Sequence, residues 1–273
     1  MDNFPQRSGR LAKIVPILKV LLVFAAGLVV LGWWMYTPPG ILGKADAAGY
    51  AVCHRISARS FLIGDRPMPL CARCSGMYLG ALLGMIYLSR WGRRAGMPAL
   101  KVSIVLGIFV LAFAVDGANS YLHFFPFAPG LYEPHNVLRL LTGTGIGLGI
   151  ACVLMPVIHQ TLWQTYDPRP ALAGWRQFLP LIGLAALLDL AVMSENPVLL
   201  YPLAILSSIS ILLILSLVYT IVWIMVSKKD NRYQHLREVW VPALAGFVTA
   251  LLQIAVLDAG RYWLTGTWAG FSL

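Results

Sequence analysis

The chain has 273 residues, 59% of them hydrophobic and 12% charged, with a formal net charge of +10 and a mean hydropathy of +0.74. So little polar surface excludes a water-soluble globule of this size and predicts an all-α polytopic membrane protein, since a segment in lipid must satisfy its own backbone hydrogen bonds. The basic excess is scattered over short segments with no soluble domain to present it, which makes it a topology signal and excludes a nucleic-acid partner.

Seven apolar stretches approach the roughly 20 residues that cross a bilayer. They lie at 14–36, 74–89, 102–122, 137–158, 177–193, 198–227 and 239–258. The first follows Arg7, Arg10 and Lys13 and ends in Trp33, Trp34 and Tyr36, an aromatic anchor at the outer interface. Ala45-Asp46-Ala47 resembles a signal-peptidase site. The preceding apolar run of about 23 residues is too long for a signal core, and the site lies about ten residues past it, so an uncleaved span is expected. The second span is short. Pro180, Pro197 and Pro202 leave the fifth and sixth open to a re-entrant hairpin or a single broken helix, because proline either ends or kinks a membrane helix.

Alternating the spans from a cytoplasmic N-terminus places Arg7, Arg10, Lys13, Arg90, Arg93, Arg94, Lys101, Arg169, Arg176, Lys228, Lys229, Arg232 and Arg237 inside. Lys44, Arg55, Arg59, Arg66, Arg73, Arg139 and Arg261 fall outside. Thirteen against seven agrees with the positive-inside rule. Asp2, Asp167, Asp230 and Glu238 are the inner acids. Asp46, Asp65, Asp116, Glu133, Asp189, Glu195 and Asp258 gather at the outer side. Asp116, Asp189 and Asp258 lie in or beside apolar spans, where an ionisable group is costly unless it is paired or reaches a wet cavity.

The chemistry concentrates in the outer segment between the first two spans. Three of the four cysteines, Cys53, Cys71 and Cys74, fall there, the last two in C-x-x-C spacing after Pro69, as at the start of a helix where free N–H groups and the dipole favour thiolates. Three readings stand. Cys53, Cys71 and Cys74 with one imidazole match a Cys3His site for zinc or another soft transition metal, with His54 as the fourth ligand, or His123 or His135 in its place. Cys71 and Cys74 also suit an exchangeable dithiol with Cys53 as its partner, passing electrons between periplasmic thiols and a quinone. A plain disulfide from Cys53 would close the outer loop and leave one odd thiol. Cys152, inside the fourth span, reads as a small buried apolar residue.

Helical spacing aligns Asp116, Asn119 or Ser120, and His123 on one face of the third span, and His135 with Arg139 at the start of the fourth, after Glu133-Pro134. Asp116, Asn119, Glu133, His135 and Arg139 are therefore candidate groups around the ligands or for a substrate, and Asp116 is expected within direct or one-water reach of Arg139. Gly76, Gly80 and Gly84, with Gly143 and Gly147 and with Gly145 and Gly149, form small-xxx-small stripes that would bring the second and fourth spans into backbone contact and the cysteines near His135 and Arg139.

Cys53-His54-Arg55, Arg59-Ser60-Phe61, the run from Pro69 to Gly80, Asp116-Gly117 and the run from Asn136 to Gly143 resemble the bacterial and archaeal membrane proteins grouped as domain of unknown function 2085. The resemblance covers about 48–155. It rests on a C-x-R-C-[ST]-G-x-Y-x-G element in which Ser75 stands where threonine is usual, and it implies no settled activity. Three parts follow: 1–47 as first span and outer linker, 48–155 as the cysteine-containing core, and 156–273 as the remaining helices. No nucleotide-binding glycine loop, H-E-x-x-H or G-x-S-x-G element is present. The chain reads as a protein of a bacterial or archaeal cell membrane with its cysteine site extracytoplasmic. The lipid bilayer is its first partner, and an accessory role in a membrane complex, or a homo-oligomer, is the remaining class.

Overall fold

The structure is a computed structural model that describes residues 6–125, 127 and 130–271, with side chains from residue 16 onward. Asp2 and the side chains of Arg7, Arg10 and Lys13, part of the charge comparison, lie outside the described residues. The chain forms an all-α bundle. Its helices are α1 (Gln6–Tyr36), α2 (Ile41–Val52), α3 (Ala72–Ser89), α4 (Leu100–Leu122), α5 (Asn136–Leu162), α6 (Trp175–Met193), α7 (Pro197–Val226) and α8 (Trp240–Thr265). Two small strand pairs join them. β1 (Leu62–Ile63) meets β2 (Arg66–Pro67) antiparallel, and β3 (Arg94–Gly96) meets β4 (Asp167–Pro170) in parallel.

The connections between the helices gather at two ends. At one end the segments after α3, α5 and α7 meet: Asp167 N–H donates to the Arg93 carbonyl (3.0 Å), Gln164 N–H to the Tyr233 carbonyl (2.9 Å) and Arg93 Nη2 to the Gln234 carbonyl (2.7 Å). At the other, Leu62 N–H donates to Glu195 Oε1 (3.1 Å), Asn136 Nδ2 to the Ala58 carbonyl (3.2 Å) and Phe271 N–H to the His54 carbonyl (3.1 Å). The sequence-level segments expected on opposite membrane faces are therefore sorted to opposite ends. Among the described residues six helices, all but α2 and α3, are long and apolar enough to cross a membrane.

α3 fails that test because it is built for protein contact. Gly76, Gly80 and Gly84 face α5, and Gly143 and Gly147 face back; a Cβ at Gly80 would lie 2.7 Å from the Thr144 carbonyl oxygen, and one at Gly147 would meet the Met77 carbonyl inside van der Waals contact. The pairs advance together along both chains, so α3 and α5 run parallel and side by side, as the glycine stripes predict. Gly145 instead accommodates Phe109 of α4 (3.0 Å to Cγ), and nothing lies near Gly149. α5 is thus the centre of the bundle, 67% buried over its apolar window, while α1 is 6% buried and leans outward on α8. Cys152 is fully buried in the apolar cluster with Leu148, Leu172, Phe178 and Leu181, as expected.

The prolines that left α6 and α7 open do not merge or break them. Pro197 occupies the first position of α7, where a missing N–H costs nothing, and the Asn196 side chain caps the helix by accepting from Val198 N–H at 2.9 Å. Pro180 and Pro202 fall near helix starts and are absorbed. One element escaped the sequence reading: α2 crosses the expected boundary at 47/48 between the outer linker and the cysteine-containing core. It is too short to span, yet Gly43, Ala45, Ala47, Ala48, Gly49 and Tyr50 are buried against its neighbours.

Candidate metal centre

α2 delivers the first thiol. Cys53 ends the helix, its N–H still bonded to the Gly49 carbonyl (2.9 Å), and the chain then turns sharply through Arg55, at a left-handed φ of 53°. After the β1–β2 hairpin the chain returns across Gly49, whose missing side chain leaves room for the Pro69 carbonyl. Cys71 is then the residue that precedes α3, and Cys74 sits in its first turn. The three sulfur atoms lie within 4.8 Å of one another, with Cys53 and Cys71 buried and Cys74 half-buried. All are free thiols.

Cys53 is the sulfur prepared to carry charge. Its Sγ accepts the N–H groups of Cys71 (3.3 Å) and Arg55 (3.5 Å). Hydrogen bonds from the Cys71 and Cys74 thiols hold its pKa well below the ordinary thiol value, whereas donating to Cys53 pushes Cys71 up to about 12. Burial lowers the His54 pKa, and the Arg59, Arg73 and Arg139 charges lower it further against the opposing pull of Cys53.

Of the expected ligands, the three cysteines converge and the histidines do not join them. His54 stands beside Cys53, but its Nδ1 accepts the Ile56 N–H (3.1 Å), and neither ring nitrogen enters the sulfur group. Adjacent side chains diverge, as steric direction along the backbone requires. The His123 Nδ1 contacts the Asn119 carbonyl (2.9 Å), and His135 precedes α5 with its side chain exposed. Glu133 is likewise exposed.

The direct pairing expected between Asp116 and Arg139 is not found among the described residues. The Asp116 carboxylate, 1% exposed, is taken by Arg73, whose Nε donates at 3.0 Å and whose Nη2 bridges Asp116 and Ser120; Tyr132 Oη also donates to it at 2.9 Å. Arg73 wins because the glycine contact brings the first turn of α3 against Gly143 and aims the guanidinium at α4. Arg139 is buried with Nη1 on Asn136 Oδ1 (2.8 Å) and Nε without a partner among the described residues. Asn119 holds a loop rather than a ligand, giving Nδ2 to the Tyr132 carbonyl (2.8 Å) and taking the Leu131 N–H (2.7 Å).

Two supporting residues were missed. Arg73 had a local signal, since it stands between the two cysteines. Arg261 had none: from 208 positions away its Nη1 donates to the Cys53 carbonyl (2.6 Å) and to that of Tyr50 (2.7 Å), and Nη2 to that of His54 (3.2 Å), clamping the turn that presents the first thiol. The Ser75 hydroxyl donates to the Leu70 carbonyl (3.2 Å), so the serine retains the bonding capacity of a threonine.

Fold and site together define a helical membrane protein with a cluster of three thiols at one end of its bundle. The chain belongs to the family described as predicted membrane protein (DUF2085), whose match covers residues 53–153, from the first of these cysteines through most of α5. It is 30% identical to an uncharacterized protein of Methanocaldococcus jannaschii over 115 residues, 42% of this chain and 69% of that one. An uncharacterized protein of Methanothermobacter thermautotrophicus is 29% identical over 111 residues, 41% of this chain and 91% of its own length. No solved structure matches.

Proposed function

We propose that this is an integral protein of a bacterial or archaeal cell membrane that binds zinc or another soft transition metal ion at its extracytoplasmic face through Cys53, Cys71 and Cys74. The observation that carries the reading is the convergence of three free sulfurs within 4.8 Å. Tetrahedral thiolate ligation, with metal–sulfur bonds of about 2.3 Å, sets sulfurs about 3.8 Å apart, so the thiols need only a small contraction to close on an ion. The two backbone N–H groups at Cys53 support a thiolate, and Arg59 and Arg139, which have no carboxylate partner among the described residues, offset the anionic charge that three thiolates leave on a dication. His54 would be the fourth ligand, which would require its ring to give up the Ile56 N–H and turn toward the sulfurs. In this reading Arg139 serves a substrate, Glu133 and His135 are exposed groups just before α5 that are available to it, and Asp116 and Asn119 act through Arg73 and the loop.

The topology that goes with this reading has seven spans and a cytoplasmic N-terminus. The 18 residues of α3 rise about 27 Å, close to the thickness of the hydrocarbon core. The three-part division at 47/48 and 155/156 goes with it, the middle part carrying the centre.

One observation favours a second reading, a thiol oxidoreductase in which two thiols yield a disulfide, two electrons and two protons to a quinone. A cleft of about 550 Å³ reaches Cys53, lined also by Tyr50, His54, Arg261, Leu264 and Phe271. Elemental analysis of protein purified without chelators separates the two. About one ion per chain, lost in Cys74→Ser and kept in Cys152→Ser, supports the metal reading. Metal-free protein with all three thiols reduced overturns it.

A further inference from the structure

A second site lies apart from the thiols, between α1 and α8 near the same end of the bundle. It is a cavity of about 770 Å³ lined by Trp33, Tyr36, Asp258, Tyr262, Trp263 and Trp268. Asp258 is 2% exposed. Its Oδ2 receives the Trp33 indole N–H at 3.1 Å, and its Oδ1 has no partner among the described residues. A carboxyl group buried at a membrane helix with one neutral donor on one oxygen and none on the other is costly, and such groups mark sites.

No neighbouring cation bonds Asp258 directly among the described residues. Arg261, one turn further along α8, gives its Nη atoms to the carbonyls of Tyr50, Cys53 and His54, has no partner at its Nε, and forms no ion pair with Asp258 among the described residues. Arg55 pairs with Asp46 at 2.8 Å. Lys44 donates to the Thr37 carbonyl (3.0 Å) and hydroxyl (2.9 Å).

We propose that this cavity binds an alkylammonium group, with Asp258 as its counter-ion and the surrounding rings as its cage. Aromatic faces attract a diffuse organic cation, whereas calcium or magnesium needs six or more oxygen ligands, and the wall offers one carboxylate. Plain aromatic anchoring at the interface accounts for the tryptophans and tyrosines but not for a buried carboxylate with a vacant oxygen. The ammonium comes either from a phospholipid headgroup, which the interfacial depth suits, or from a soluble amine.

The test uses the full chain in detergent. Native mass spectrometry with equimolar phosphatidylethanolamine and phosphatidylglycerol reads the lipid source, and calorimetric titration with ethanolamine reads the soluble one. Asp258→Asn keeps an oxygen for Trp33 and lacks the charge, and is expected to weaken amine binding about tenfold or more. Trp263→Leu removes an exposed ring that folding does not need and is expected to weaken it by a factor of about three to ten. A preference for the ethanolamine lipid alone assigns the headgroup, and ethanolamine binding without that preference assigns the soluble amine. Wild-type protein with neither, or both variants binding as wild type, overturns the proposal. Metal content is expected to be unchanged in both variants, so failure here is distinguishable from failure of the metal reading.

Discussion

Replacing Asp116 by alanine leaves the Arg73 guanidinium without its carboxylate inside the bundle. The carboxylate is 1% exposed and the arginine side chain 18%. Removing one member of a buried pair costs about 3–5 kcal/mol, and the partial exposure of Arg73 places this pair near about 3. The Tyr132 hydroxyl loses its acceptor as well, which adds about 1 kcal/mol. A loss of about 4 kcal/mol corresponds to a fall of about 8–16 °C in the unfolding midpoint for a chain of this size. Reversible unfolding in mixed micelles, run as a double-mutant cycle with Arg73→Met, is expected to return a coupling of about 2 kcal/mol. The same cycle with Arg139→Met is expected to return less than about 0.5. Additive effects with Arg73, or strong coupling to Arg139, would refute the assignment of partners.

The glycine seam gives a paired expectation: Gly80→Val forces α3 away from the Thr144 carbonyl and costs about 1–3 kcal/mol, whereas Gly183→Ala, with open space around it, is neutral or stabilising by up to about 1 kcal/mol; the same unfolding assay reads both. Asn119→Ala removes two buried hydrogen bonds to the loop before α5 and is expected to cost about 2 kcal/mol and to speed proteolysis between residues 123 and 135. For topology, a membrane-impermeant thiol reagent applied to intact cells after mild reduction and chelation is expected to label Cys53, Cys71 or Cys74. A cysteine placed at Lys229 is expected to label only after lysis, and the reverse pattern would invert the orientation.

The fold was legible where a single physical requirement dominates the residues. Apolar length marked the spans, and glycine spacing marked the α3–α5 seam because backbone contact in lipid admits no side chain. α2 was not legible: its burial is against protein rather than lipid, and twelve residues give no membrane signal. The convergence of the thiols followed from C-x-x-C at a helix start together with a nearby third cysteine. The direct partner of Asp116 was not legible because two arginines were available at the same end, and the choice between them depends on which face of α3 the glycines turn toward α5. Arg261 acts on backbone carbonyls, which carry no sequence identity, so nothing in the chain could announce it.

X-ray absorption at the edge of whichever metal copurifies tests the central claim most directly. The account predicts three sulfur neighbours at about 2.3 Å around the ion, with that shell dismantled in Cys53→Ser, Cys71→Ser and Cys74→Ser. An ion surrounded only by oxygen and nitrogen, or a spectrum unchanged by the three substitutions, would contradict it.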